Sequence, residues 1–593
     1  MAGSLGRKPY SIFEIDVPRC TRVYGSSPCT AALSATTPNK CYNTFKTCQD
    51  EANYDAGTVT HSYVMNVDGM PKEAGFFPML ASVSTRPAQI NLSGIDPNTT
   101  ALGVRASGTA TLMNAKDNGS FTDPYAAERR TGAAQFSGVG YKPEDFGSHW
   151  GKFFARTPYY VGLECRVKRG YVGDDPALMP VEHYVITEAT GPGSDGRVSI
   201  EYKDILDLTA EEKSQCPAVS TGKLLEEITA GASTATLTPA GIGDEEYPAS
   251  GFVVIGSEII AFTRSGDVLT LTDRGAEGTT AASHAALDVV QLCAVFDAAE
   301  RFCDVVYDLL VNYASVPASY ITLAEWQAEH DAWLAGVTIK KTIIPKPTAV
   351  RKLIGELCQL GVFFFPDVTA RAIRYKVNAP LRPGETYYDV TDANNLREGT
   401  VSLERGEDQR ISAIILWHGS ISWTASATDT SNYAKATVAR VGNDPYDQSA
   451  IKEITMRWFG ADGDDAAASV VTERLLSRFK NPPKIISGEL DVKDRAGVEL
   501  ASRLRVTSAQ LEDENGASLP ELMQVSAAEY TTDDRVKFTA QTYTLDGRFG
   551  FWMDSATAPT YSTATDAEKT GGAYWMDDAV GTFSDGSGPY VYF

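Results

Sequence analysis

A period-two alternation of apolar and polar residues dominates this chain, and clear helical spacing is confined to stretches between about residues 296 and 485. Val198-Ser-Ile-Glu-Tyr202 follows the turn signal Asp195-Gly196 and sends alternate side chains to opposite faces, as a strand does. Across residues 1–212 glycine and proline recur at short intervals and helical periodicity is weak. This predicts short, turn-rich strands in a barrel or sandwich. Residues 213–295 read as a small all-β insertion. Thr234-Ala-Thr-Leu-Thr238 is a strand, Gly251-Phe-Val-Val-Ile-Gly256 and Glu258-Ile-Ile-Ala-Phe262 make a hairpin turning at Gly256-Ser257, and Asp267-Val-Leu-Thr-Leu-Thr272 follows.

Residues 296–485 mix helix and strand. Phe302, Val305, Val306, Leu309 and Leu310 recur at helical spacing within Phe296 to Val311. A clearer helix starts after Pro347 with Thr348 as its expected N-cap. Val350, Leu353, Ile354 and Leu357 line one face, and Gly361 stands where a helix stops. Val362-Phe-Phe-Phe365 and Ala372-Ile-Arg-Tyr-Lys376 predict a hairpin turning at Pro366-Asp367. A last helix runs from about Asp464 to Phe479 and ends before Pro482-Pro483. Residues 486–550 return to β character. Residues 551–593 carry the near-repeat Phe551-Trp-Met-Asp554 and Tyr574-Trp-Met-Asp577 between polar spacers, and read as a C-terminal aromatic arm. The expected fold class is mainly β with some α+β, built as a multi-domain β-barrel and sandwich hub.

Composition constrains partners more than fold. At 593 residues the chain exceeds one core, and 43% hydrophobic with 22% charged residues supports several globular units. Lys and Arg number 53 against 76 Asp and Glu, a formal net charge of −23. Such a surface repels phosphate backbones, so sequence-independent nucleic-acid binding across the outside is not expected; no sequence-specific nucleic-acid binding is expected either. No continuous apolar run is long enough for a membrane segment, and no apolar leader core precedes Cys20.

Cysteine usage is uneven. Cys20, Cys29, Cys41 and Cys48 crowd near the start, whereas Cys165, Cys216, Cys293, Cys303 and Cys358 are scattered and suit buried small hydrophobes. Eight residues separate the first pair and six the second, wider than the two to four of tight zinc knuckles. A [4Fe–4S] cube spreads four iron corners over a larger body and asks for four thiolates. Two disulfides are the competing reading, disfavoured in a reducing cytoplasm but permitted by the spacing. Spacing alone leaves cluster, disulfides and zinc open.

The block Ile15-Asp-Val-Pro-Arg-Cys20, Tyr24-Gly25, Ser27-Pro-Cys-Thr30 and Cys41-Tyr-Asn-Thr-Phe-Lys-Thr-Cys-Gln-Asp50 resembles the N-terminal signature of tail-tip, or baseplate hub, proteins of long-tailed bacteriophages. It is similar to the iron–sulfur motif of lambda-type tail tips and to gene transfer agent hubs. Leu102-Gly-Val-Arg-Ala106, Asp123-Pro-Tyr125 with Arg129-Arg130, and Ala155-Arg-Thr-Pro-Tyr-Tyr160 resemble the same family's first domain. Arg457-Trp-Phe459, Arg474-Leu-Leu-Ser-Arg-Phe479 and Asp546-Gly-Arg-Phe549 resemble its later hub domain. The resemblance implies a [4Fe–4S] cluster on Cys20, Cys29, Cys41 and Cys48. It also implies a homotrimer that closes the tail tube, contacting the distal tail protein, the tape-measure protein and tip fibre or spike proteins. The expected location is the virion, after assembly in the bacterial host cytoplasm.

Enzymatic signatures are weak. The chain has neither a His-Glu-x-x-His pair nor a Gly-x-Ser-x-Gly elbow, and Thr221-Gly-Lys223 lacks the upstream glycine of a phosphate loop, Pro217 standing there instead. His418 reads as a packed or surface histidine. Glu325 and Glu329, and the run Asp462, Asp464, Asp465, read as solvated carboxylates. The expectation is a non-enzymatic structural protein, with a host-surface binding protein or a peptidoglycan hydrolase as alternatives.

Overall fold

A computed structural model of the chain describes residues 8–31, 41–66, 75–92, 94, 100–117, 119, 122–131, 142–210, 214–379, 387–442, 444–446, 448–461, 463–530 and 535–542, with the strand residues 549–550, 576–577, 582–583 and 591–592. Most of the aromatic arm proposed for 551–593, including Phe551-Trp-Met-Asp554, lies outside the described residues, as does Asp462.

The protein is mainly β and divides its apolar side chains among several cores. Near the N-terminus seven strands close a barrel: β1 (Pro9–Cys20), β2 (Ala56–Met65), β3 (Phe76–Arg86), β4 (Ser107–Met113), β5 (Glu164–Tyr171), β6 (Val181–Thr190) and β7 (Arg197–Lys203). Their order around the barrel is β1-β2-β3-β4-β7-β6-β5, with β5 returning to β1. The expected short strands are longer than turn spacing suggested, because β1 spans 12 residues and bonds both neighbours along most of its length. On β7 the anticipated alternation holds: Val198, Ile200 and Tyr202 face inward. Two short helices, α1 (Ala126–Thr131) and α2 (His149–Arg156), sit between β4 and β5. Helix α2 starts on Ser148, whose hydroxyl accepts from Gly151 N, and inserts fully buried Trp150 into the barrel core.

The insertion hairpin forms as its glycine turn requires, Ser250–Ile255 against Glu258–Ser265 with Gly256 at φ 62°. It belongs to a six-stranded sheet with its own core around Leu237, Val253, Ile260 and Phe262.

The largest core joins helices Phe302–Asp308, Leu323–Trp333, Val350–Cys358 and Asp465–Phe479 to a hairpin and a three-stranded sheet. Three local expectations need correction. The helix expected up to Val311 changes to a π-turn over Leu309–Tyr313. Thr348 does not cap its helix: Thr348–Ala349 pairs with Gln215–Cys216, and helix begins at Val350. The hairpin strands run through Asp367, and the turn falls over residues 368–371, where Asp367 Oδ1 accepts from Thr369 Oγ1 and Ala370 N.

Six strands make the last large sheet, Tyr388–Thr391 and Ser402–Arg405 joining strands drawn from Lys484 to Thr542. Among the described residues no helix is long and apolar enough to cross a membrane.

Candidate metal centre at the mouth of the barrel

Strand β1 delivers Cys20 to one end of the barrel, opposite Ala56 at the start of β2. The segments on either side fold back over that end. Cys20 N donates to Asn43 O at 2.7 Å, and Asn43 Nδ2 donates to Cys20 O at 3.2 Å, so residues 41–44 are stitched to the end of β1. Asn43 holds φ 55°, a left-handed conformation that asparagine tolerates better than most residues. Cys29 follows a turn in which its N–H bonds Ser26 O, and Cys48 closes a 3₁₀ turn by donating to Phe45 O. Asp50 ties the two cysteine pairs together, its carboxylate accepting from Thr30 N at 2.6 Å and Thr30 Oγ1 at 2.9 Å.

The result is a small pocket whose lining includes Cys20, Cys29, Cys41 and Cys48 with Tyr24, Asn43, Gln49 and Tyr54. All four expected residues are therefore brought together. All nine cysteines are free, so the disulfide reading finds no bond here. Among the described residues no group of three or more His, Cys, Asp or Glu is arranged to hold a single metal ion. The four thiols do lie close enough to act on one another electrostatically, Cys48, Cys20 and Cys29 all acting on Cys41.

Burial and mutual proximity both act on these thiols. Burial pushes the Cys41 thiol up to about 11, and the neighbouring Cys48, Cys20 and Cys29 add to the rise, while the Asn43 N–H opposes it. Cys48 is raised for the same reasons, with Asp50 N–H opposing. Deprotonating the set without a compensating cation is costly; iron would replace those protons. Two backbone donors already face sulfur, Asn43 N to Cys41 Sγ at 3.2 Å and Asp50 N to Cys48 Sγ at 3.4 Å. One polar atom has no partner among the described residues: the Tyr54 hydroxyl, enclosed in the same wall. The donor set, the enclosed space and this orphaned hydroxyl fit an iron–sulfur cluster.

Behind the cysteines lies a feature the spacing did not announce. Tyr42 is gripped between two guanidinium groups, Arg129 and Arg156, each 3.9 Å from its ring centroid. Arg129 also donates to Cys41 O at 2.6 Å and pairs with Asp123 at 2.7 Å, both side chains almost wholly buried. Arg19 donates to Tyr42 O at 3.2 Å. One arginine each from β1, α1 and α2 thus converges on Cys41-Tyr42, locking the cysteine loops to the barrel.

The other sequence candidates have structural partners. His418 is fully buried, with Gly460 O 2.8 Å from Nδ1 and Thr437 Oγ1 3.1 Å from Nε2. Glu325 pairs with Arg374, Glu329 with Lys376, and Asp465 with Lys435.

No family profile matches the sequence, and no curated protein matches it. Among solved structures, a tail protein from Neisseria meningitidis MC58 aligns over 78% of this chain and 96% of its own, at 9% identity and TM-score 0.34. A 43 kDa tail protein of prophage MuSo2 from Shewanella oneidensis aligns over 78% and 98%, at 9% identity and TM-score 0.34. A chain of a native gene transfer agent virion aligns over 35% and 42%, at 14% identity and TM-score 0.24. The likenesses are to tail and virion proteins. All three scores lie below 0.5, and the functional reading rests on the chain's own residues.

Proposed function

We propose that this chain is a structural subunit of a phage or phage-like tail tip, a baseplate hub, and that Cys20, Cys29, Cys41 and Cys48 hold a [4Fe–4S] cluster. The observation that carries the reading is that the four cysteines of the hub-like motif line one cavity. When bound, the cluster supplies a covalent cross-link between chain segments that share little apolar core, Tyr24, Ala31 and Cys41 being the hydrophobic residues buried together there among the described residues. The chain's own residues do the rest. Asn43 and Asp50 present N–H groups to sulfur, and the three arginines fix Cys41 against the barrel.

By the resemblance, hub subunits form a homotrimer below the distal tail ring, close the tube, and meet the tape-measure protein inside and fibre or spike proteins outside. Such work needs broad complementary surfaces rather than a pocket. Exposed apolar side chains beside the cysteine lobe support a contact role: Val23, Val161, and the paired rings of Phe45 and Tyr159, 6.4 Å apart.

Iron and acid-labile sulfide analysis of anaerobically purified protein tests the cofactor. About four of each per chain are expected; zinc, or protein with no metal, overturns the assignment. Particles carrying Cys41→Ala should lack the cluster and fail to complete tails. Infectious particles with a clusterless hub would refute its structural role.

A further inference from the structure

Tyr54 is the aromatic residue of the cavity wall whose hydroxyl has no job among the described residues. Tyr125 OH accepts from Tyr24 N at 2.8 Å, and Tyr24 OH donates to Gln49 Oε1 at 3.3 Å. Tyr54 OH, equally enclosed, has no hydrogen-bond partner. A buried hydroxyl without a partner has lost its water contacts with nothing in exchange, so such an atom calls for an explanation.

Its placement is fixed from both ends. The Tyr54 N–H bonds Glu51 O at 3.2 Å, ending a 3₁₀ turn. Phe45 meets the ring edge-on, centroids 5.3 Å apart and planes at 88°. Held this way, the phenol lines the cavity with all four cysteines, and Cys20, Cys48 and Cys41 are close enough to act electrostatically on it. Donors are unevenly shared among those sulfurs. Cys41 and Cys48 each receive a backbone N–H, whereas Cys20, whose charge acts most strongly on Tyr54, spends its own N–H on Asn43 O.

We infer that the Tyr54 hydroxyl is a hydrogen-bond donor to a sulfur at the Cys20 corner of the cluster, and that it sets the site's reduction potential. The inference rests on the cluster assignment above. Hydrogen bonds to cluster sulfurs favour the more negative, reduced state and raise the potential. Tyr54 is a positioning and tuning residue, neither a ligand nor a proton source.

The test uses the full chain, purified anaerobically, as wild type, as Tyr54→Phe and with 3-fluorotyrosine placed at position 54. Iron and sulfide are counted first, and the midpoint potential is then measured by redox titration followed by electron paramagnetic resonance. Equal cluster content is expected in all three, with a negative shift for Tyr54→Phe and a positive shift for the fluorinated residue, a stronger donor that keeps ring and hydroxyl. Pulsed resonance after exchange into D₂O should show one strongly coupled exchangeable proton in wild type that Tyr54→Phe lacks. A full cluster whose potential is the same in wild type and the fluorinated protein overturns this inference alone. Wild-type protein without a cluster overturns the assignment beneath it as well. If Tyr54→Phe takes up no iron, the fluorinated protein still decides by the sign of its shift.

Discussion

The tyrosine clamp makes a quantitative claim about what holds the cysteine loops to the barrel. Arg129→Met removes a cation that is 1% exposed, pairs with an equally buried Asp123, donates to Cys41 O and stacks on Tyr42. Breaking a buried pair from one side costs roughly 3–5 kcal/mol, because the remaining charge is left uncompensated. The stacked contact adds on the order of 1 kcal/mol. Taking about 4 kcal/mol as a working figure, opening of the Cys41 segment becomes about a thousandfold more populated, since each 1.4 kcal/mol is tenfold. Hydrogen exchange resolves this where global unfolding of a multi-domain chain does not. In Arg129→Met, amides of residues 41–48 should exchange faster by that factor while the last sheet, around Val525 and Phe538, is unchanged. Pairing the change with Asp123→Asn removes the stranded carboxylate and should recover a large part of the loss. A single mutant no more labile than the double would refute the buried-pair argument, and exchange at wild-type rates in the single mutant would refute the clamp itself.

Other consequences can be checked separately. His61 and His149 both pack against Phe77, where burial first, and nearby Arg19 and Arg156, lower them to about 3 and about 4. Their folded values are below the ordinary 6.5, so the unfolded chain binds protons first. Their stabilisation is whole above pH 6.5 and is lost as pH falls toward 4 and 3, about 1.4 kcal/mol per unit for each group. Barrel stability, read as urea-dependent hydrogen exchange of the β1 and β2 amides, should therefore fall between pH 6.5 and 5, and His61→Leu should reduce that slope; an unchanged slope would count against the assignment. In the insertion, Glu258 accepts from Arg274 at 2.7 and 2.9 Å, from Gly275 N and Ala282 N, and lies 2.7 Å from His284 Nε2. Burial alone would raise its pKa, but these donors hold it at about 2. Glu258→Ala strands Arg274 and should destabilise the six-stranded sheet by roughly 3–5 kcal/mol, seen as proteolysis within residues 223–292 while the barrel stays intact. Resistance equal to wild type would show the network to be dispensable.

How much of this was legible beforehand depended on whether a signal was local. The 251–262 hairpin was readable because strand alternation and the Gly256-Ser257 turn sit within a dozen residues, and the helix ending at Phe479 because its stop, Pro482-Pro483, is adjacent. Thr348 misled for the opposite reason. Its backbone is claimed by Cys216, 132 positions earlier, and no local rule for caps weighs a distant strand. Barrel closure was equally hidden, since β1 meets β5 with Ile15 opposite Cys165.

The site divides along the same line. Four cysteines in one short block announce themselves by residue type and spacing, and their convergence needs only two loops folding over the end of β1. The residues that make those loops rigid carry no such mark. Arg129 lies 88 positions from the carbonyl it holds, and in a chain with 53 basic side chains a buried arginine looks like any surface one. Yet the arginines determine whether the cysteine spacing has one geometry or many. Eight- and six-residue intervals permit a broad set of loop conformations. The stacked Tyr42, the Cys41 carbonyl on Arg129 and the Asn43 bridge to Cys20 select one in which the four cysteines line the same pocket. The identity of the four cysteines is thus encoded locally and their arrangement at long range. A variant lacking the clamp but keeping all four cysteines should therefore take up iron poorly, and one with clamp intact and a single cysteine missing should keep its loop protected from exchange while losing the cluster.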